Sequence, residues 1–258
     1  CERNEDLEER QEIAAQNLEI AQDESLAQSI WDDVFKNVDE ASRETSEVYK
    51  KSGFEELNGN CATLTLDNAQ QVLTIDFGSS NCTGNDGRKR RGKIIATYTG
   101  RYRDSGTVIT VTTDNFYLND NKIEGTKTVT NLGRNSSGNL HYSINVQNGK
   151  ITTSDGIIEY SSIRTREWVK GESTALNVWD DEYLISGTAN GKTTSGYNYQ
   201  ISTLSPLEIQ IGCYWIKSGK LEIDGDLGDP WYVDYGDGTC DNKAQAEING
   251  NTYDFVMR

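Results

Sequence analysis

Few side chains in this sequence are of types that do chemistry, and their spacing favours structural roles over catalytic ones. Nucleophile–base catalysis leans on histidine, and His141 is the sole histidine of the 258 residues. It stands in an alternating run beside Tyr142 and reads as a strand-face residue. No GxSxG, HExxH, phosphate loop or dinucleotide fingerprint accompanies it. Carboxylates abound, with 41 Asp and Glu, yet no spacing selects the pair that glycoside hydrolysis requires. The expectation is a protein without enzymatic activity, without a cofactor and without a dedicated metal centre. Asp224-Gly225-Asp226, Asp229, Asp234, Asp237 and Asp241 form an oxygen-rich tract that could take Ca2+, an ion that wants six to eight hard ligands. The spacing is not that of an EF-hand, and acidic glycine turns also serve hairpins with no ion. Trp168, Trp179, Trp215 and Trp231 could build a sugar-stacking platform, although tryptophan in a sheet more often fills core.

The cysteines carry the clearest spacing. Ile75-Asp76-Phe77-Gly78 with Cys82 repeats as Val233-Asp234-Tyr235-Gly236 with Cys240, and in each copy another cysteine, Cys61 or Cys213, opens a strand upstream. Each copy reads as one small unit, which predicts the disulfides Cys61–Cys82 and Cys213–Cys240, each stabilising its loop by about 3 kcal/mol in the chain-entropy account. In the repeat, Asp76 and Asp234 are expected to bond nearby backbone N–H groups. The fifth cysteine, Cys1, stands at the start of the chain. A mature N-terminal cysteine looks like that of a bacterial lipoprotein after signal-peptide cleavage, so Cys1 is the expected lipidation site, with acyl chains holding the protein on a membrane without spanning it.

The elements that position these groups divide the chain in three. Residues 1–12 read as an acidic tether, 13–53 as an amphipathic helical segment, and 54–258 as an antiparallel β-domain with a cysteine hairpin unit at each end. No Gly or Pro interrupts the chain from Leu7 to Lys51, and Leu26, Ile30, Val34 and Val38 recur every four positions beside Trp31 and Phe35. Asp23, Glu24 and Ser25 are placed to cap a second helix, and Gly53 to end the run. From Cys61 the period becomes two, as in Leu207, Ile209 and Ile211, and Asn148-Gly149, Asn190-Gly191 and Asn249-Gly250 are among the turn signals. The fold class is therefore mainly β: a helical segment followed by a large antiparallel meander of about a dozen strands, sandwich-like or barrel-like.

Charge excludes some partners. The formal net charge is −16, which argues against nucleic acid, and it is concentrated in residues 1–52 with 15 acids against 6 bases. The one basic focus, Arg88, Lys89, Arg90 and Arg91, could dock an acidic partner, lipid headgroups or the protein's own acidic helix. Trp31, Phe35 and Val38 are the matching partner-binding candidates on the helix stripe.

Taken together, the N-terminal Cys, the acidic tether, the helix, Thr74-Ile75-Asp76-Phe77-Gly78 through Asn81-Cys82-Thr83-Gly84, Arg91-Gly92-Lys93-Ile94, and Val233-Asp234-Tyr235-Gly236 through Cys240-Asp241-Asn242-Lys243-Ala244 resemble a lipoprotein family of Bacteroidota envelopes. The resemblance spans nearly the whole chain and supplies no activity to carry over. The long amphipathic helix beside a basic loop suited to docking leads to the expectation of a non-enzymatic outer-membrane lipoprotein serving as an accessory or scaffolding subunit of an envelope complex for outer-membrane protein assembly or export, and the acidic residues after Cys1, which resemble surface-export signals, favour the cell-surface side. The expected partners are a β-barrel and other lipoproteins, with the membrane engaged through the anchor. The alternative is a surface carbohydrate- or calcium-binding lipoprotein.

Overall fold

The computed structural model describes residues 2–44, 61–174, 177, 179–226 and 228–257, and of residues 2–10, 43 and 44 the backbone alone. Cys1 and the expected helix stop at Gly53 lie outside the described residues. A single helix, α1 (Glu2–Glu44), runs through the stretch expected as a tether and straight past Asp23, Glu24 and Ser25. These three do not cap a second helix, because their polar atoms are used elsewhere. Thr194 N donates to Asp23 at 2.9 Å and Arg164 to Glu24 at 2.5 Å. Ser25 Oγ donates to the Ala21 carbonyl at 2.8 Å.

Fourteen strands follow: β1 (Thr63–Asp67), β2 (Val72–Asp76), β3 (Cys82–Thr83), β4 (Lys89–Tyr98), β5 (Val108–Leu118), β6 (Asn121–Arg134), β7 (Leu140–Thr152), β8 (Ile157–Lys170), β9 (Glu182–Lys192), β10 (Asn198–Gln210), β11 (Ser218–Gly225), β12 (Trp231–Asp237), β13 (Lys243–Ile248) and β14 (Asn251–Val256). They form one antiparallel sheet in which neighbours in sequence are neighbours in space, except that β2 and β3 share one edge of β4. The sheet does not close, so β1 and β14 are its edges and it is neither a two-sheet sandwich nor a complete barrel.

The sheet curls around α1, which touches β2, β4, β8 and β13. From Ile20 to Ala41 buried side chains point in every direction around the helix, including Ala21, Glu24, Ala27, Trp31, Asp33, Val34 and Asn37. What stays half-exposed is a narrow line, Gln22, Leu26, Ser29, Asp32, Lys36 and Asp39, recurring every three or four residues. The expected amphipathic helix is thus the central core element, and Trp31, Phe35 and Val38 face the protein's own sheet. Trp31 needs a slot there. A Cβ on Gly125 would lie 3.0 Å from the indole and one on Gly149 3.1 Å from it, so two glycines in adjacent strands clear the space. Asn148-Gly149 therefore belongs to a bulge inside β7, marked by a register shift between Val146 and Gly149, instead of to a hairpin. Asn190-Gly191 likewise lies within β9. Asn249-Gly250 does form the two-residue turn between β13 and β14, where both residues take positive φ.

The inner face of the sheet is basic where the helix is acidic. Arg164 and Arg166 alternate inward from β8 while Ile163, just before Arg164, is exposed, and Lys127 points inward from β6. Lys127 Nζ donates to the Trp31 carbonyl at 2.8 Å and lies 3.5 Å from Asp32. Arg166 lies 4.7 Å from the Phe35 ring and 4.9 Å from that of Tyr183, and it also donates to the Tyr102 hydroxyl. Burial pushes the Glu24 carboxyl up to about 7, against the lowering pull of Arg164. Burial also pulls the Lys127 ammonium down to about 8, with Asp32 opposing.

Candidate ligand pocket

Both disulfides form as the repeat predicts, Cys61–Cys82 and Cys213–Cys240. The repeat is structural down to its aspartates. Gly78 N donates to Asp76 at 2.8 Å and Gly236 N to Asp234 at 2.9 Å, and each carboxylate pairs with a lysine of the adjoining strand, Lys93 or Lys220. Each carboxyl is accordingly held below its ordinary value, that of Asp76 chiefly by the Gly78 N–H and that of Asp234 by Lys220 and the Gly236 N–H against the raising effect of burial.

The two units meet at a recess of about 630 Å³. The loop after Cys82 supplies Asn85, Asp86 and Arg88, and β4 adds Arg90. The second unit supplies Gly212, Cys213 and Tyr214, the segment before β9 supplies Trp179, and the floor is Asp33, Lys36 and Asn37 of α1. Period two in β4 divides the basic run: Arg88 and Arg90 turn inward and are buried, while Lys89 is exposed. Arg91, also outward, pairs with Asp120 at 2.5 Å and lies over the Tyr117 ring. Of the three docking roles open to the basic focus, Arg88 and Arg90 take the last, binding the chain's own helix. Arg88 donates to Asp33 at 2.7 Å, and Arg90 donates to Asp33 at 2.5 Å and to Asp86 at 2.6 Å. Burial works to raise the Asp33 carboxyl, but Arg90 and Arg88 hold it below its ordinary value. The Arg88 guanidinium also lies 3.7 Å from the centre of the Tyr214 ring, linking the first unit to the second.

Two rings remain open to solvent at this recess, Trp179 at 43% and Tyr214 at 39% exposure. Trp179 rests on Gly212, whose positive φ and missing side chain let the indole lie against the backbone. Asn37 donates to the Asp33 carboxylate at 3.0 Å, and its buried Oδ1 has no donor among the described residues. Asp33, Lys36, Asn37, Asp86 and Tyr214 did not emerge from sequence reasoning, for they come from separate segments joined by the curl of the sheet. The alternation Arg88-Lys89-Arg90 was the available signal that two cations share one strand face.

The other candidates lie elsewhere. Trp168 and Trp231 are core, Trp215 is partly buried with its ring 4.8 Å from that of Tyr214, and of the expected platform Trp179 alone lines this recess. The acidic tract serves the loops that contain it: Asp226 accepts from Asn198, Asp237 from Thr239 and Asp241 from Lys243. Among the described residues no three His, Cys, Asp or Glu side chains converge as a metal site. His141 Nδ1 lies 3.0 Å from the Gly133 carbonyl. No helix among the described residues is long and apolar enough to cross a membrane. The chain matches no protein-family model, no curated protein and no solved structure.

Proposed function

We propose that the protein is a non-enzymatic, Cys1-acylated lipoprotein of the bacterial outer membrane that presents this recess as a carbohydrate-binding site. The observation that carries the reading is the pair of half-exposed rings, Trp179 and Tyr214, beside amide and charged side chains in a space of about 630 Å³. Sugar rings stack their C–H faces on aromatics and need polar groups for their hydroxyls, and ligand recesses of roughly 300–1,000 Å³ suit molecules of that size. A role as an accessory subunit of an assembly or export complex would have to use another face, because Trp31, Phe35, Val38, Arg88 and Arg90 are packed within the chain. Titration of the full chain with neutral and acidic oligosaccharides, read by tryptophan fluorescence, tests the binding role. Trp179→Ala should weaken the tightest ligand at least tenfold with an unchanged melting temperature, and equal affinity in the variant would refute the site. The anchor is tested by the mass of the native N-terminal peptide, where an unmodified Cys1 would refute lipidation.

A further inference from the structure

Lys36 is the charged lining residue that has no bonded partner among the described residues. Arg88 and Arg90 are ion-paired to Asp33, and Arg90 also to Asp86. Asp32, one turn before Lys36 on α1, accepts a hydrogen bond from Gln28 at 2.7 Å and lies 3.5 Å from Lys127. Lys36 itself makes no hydrogen bond or ion pair among the described residues, although it is only half-exposed and borders the recess. Burial draws its pKa below the ordinary lysine value, with Asp32, Asp33 and Asp86 opposing and Arg88 adding to the effect. The lining charges are three cations, Lys36, Arg88 and Arg90, against two carboxylates, Asp33 and Asp86. A positive excess thus sits in a chain whose formal charge is −16. A partly desolvated ammonium that makes no direct ion pair gains from a ligand anion that bonds it at contact distance.

We infer that the recess takes an anionic saccharide, with the acidic group of the sugar on the Lys36 ammonium and its ring against Trp179 and Tyr214. This deepens the carbohydrate reading and rests on it. A uronate carboxylate and a sulfate ester present the same chemistry to an ammonium, a compact anion with several acceptor oxygens, and they are told apart by experiment.

The full chain is titrated with trigalacturonate and with its fully methyl-esterified form, and in parallel with a sulfated galactose trisaccharide and its desulfated parent. One acidic member should bind at least tenfold more tightly than its neutral counterpart, and whichever pair shows the preference identifies the anion. In Lys36→Met the preference should fall to about onefold, while affinity for the neutral sugar and the melting temperature hold. Raising the salt concentration should erode the preference in the wild-type chain, a readout that needs no variant. Equal binding of charged and neutral forms, or a preference that survives Lys36→Met, would overturn the role of Lys36 and leave the carbohydrate site standing. Failure of every saccharide to bind the wild-type chain would overturn both.

Discussion

Replacing Trp31 with alanine tests whether the helix is the core of the sheet. Trp31 is 1% exposed, and its indole occupies the slot cleared by Gly125 and Gly149. Truncating a buried tryptophan costs about 3–5 kcal/mol, and the upper part of that range applies where the surroundings cannot collapse into the space left behind. Here the floor of the slot is backbone of β6 and β7, held by pairings such as Thr126 with Gln147 and Thr128 with Asn145. A loss of about 4–5 kcal/mol follows, and at roughly 2–4 °C per kcal/mol for a chain of this size the melting temperature should drop by about 10–15 °C. Differential scanning calorimetry of the oxidised chain measures it, with coincident far-ultraviolet and tryptophan transitions as the check on two-state behaviour. A drop below about 2 °C would mean that the indole is not enclosed, and the central position of α1 would have to be given up.

Two further outcomes follow from the buried charges. Asp33→Ala leaves Arg88 and Arg90 buried without their shared carboxylate, so the unfolding free energy in urea should fall by about 3–5 kcal/mol; a loss under about 1 kcal/mol would refute the buried pairing. Glu24 has a folded-state pKa of about 7, above its ordinary 4.5. The folded state therefore favours its protonated form, and its stabilising contribution is full below pH 4.5 and is lost as the pH rises towards 7. The wild-type chain should lose about 3 kcal/mol across that window relative to Glu24→Gln, whose amide does not titrate. Parallel pH profiles for the two proteins in urea unfolding would contradict the burial argument.

What the sequence reveals depends on whether a signal is local. The disulfide units were legible because each is a self-contained hairpin whose Asp76 or Asp234 bonds the N–H two residues on. The helix was legible from composition, but not its place. Acidic residues inside an apolar stripe ordinarily mark a solvated face, whereas here Glu24 and Asp33 meet arginines from strands far along the chain. The same contacts explain why β8 defeats hydrophobic patterning. With an acidic helix to cover, Arg164 and Arg166 belong inside and Ile163 falls outside, so polarity assigns the wrong face. Asn148-Gly149 misleads for another reason: positive φ at such a pair serves a bulge as readily as a turn, and only the continuation of β7 to Thr152 decides. The recess was illegible because four segments, brought together only by the curled sheet, each contribute a part of it.

The interior ion pairs settle a question that the apolar contacts leave open. Along α1 the residues one turn either side of Val34 are Ile30 and Val38, so sliding the helix by about 5.4 Å would replace one aliphatic contact with another. The charged positions do not tolerate the same slide. It would bring Ser29 or Asn37 to the place of Asp33, and Ile20 or Gln28 to the place of Glu24. Either direction leaves Arg88 without its carboxylate, Arg90 with Asp86 alone and Arg164 without its Glu24 partner, a loss of several kcal/mol in all. Trp31 reinforces the choice, since Ala27 would leave its glycine slot empty and Phe35 would fill it with a ring of different shape. Register matters for the recess too: Asp33 orders the arginines of its wall, Asn37 donates to that same carboxylate, and Lys36 reaches the recess only when Asp33 is in place between them. The buried charges thus fix where along the sheet the helix stops, and that position assembles the recess.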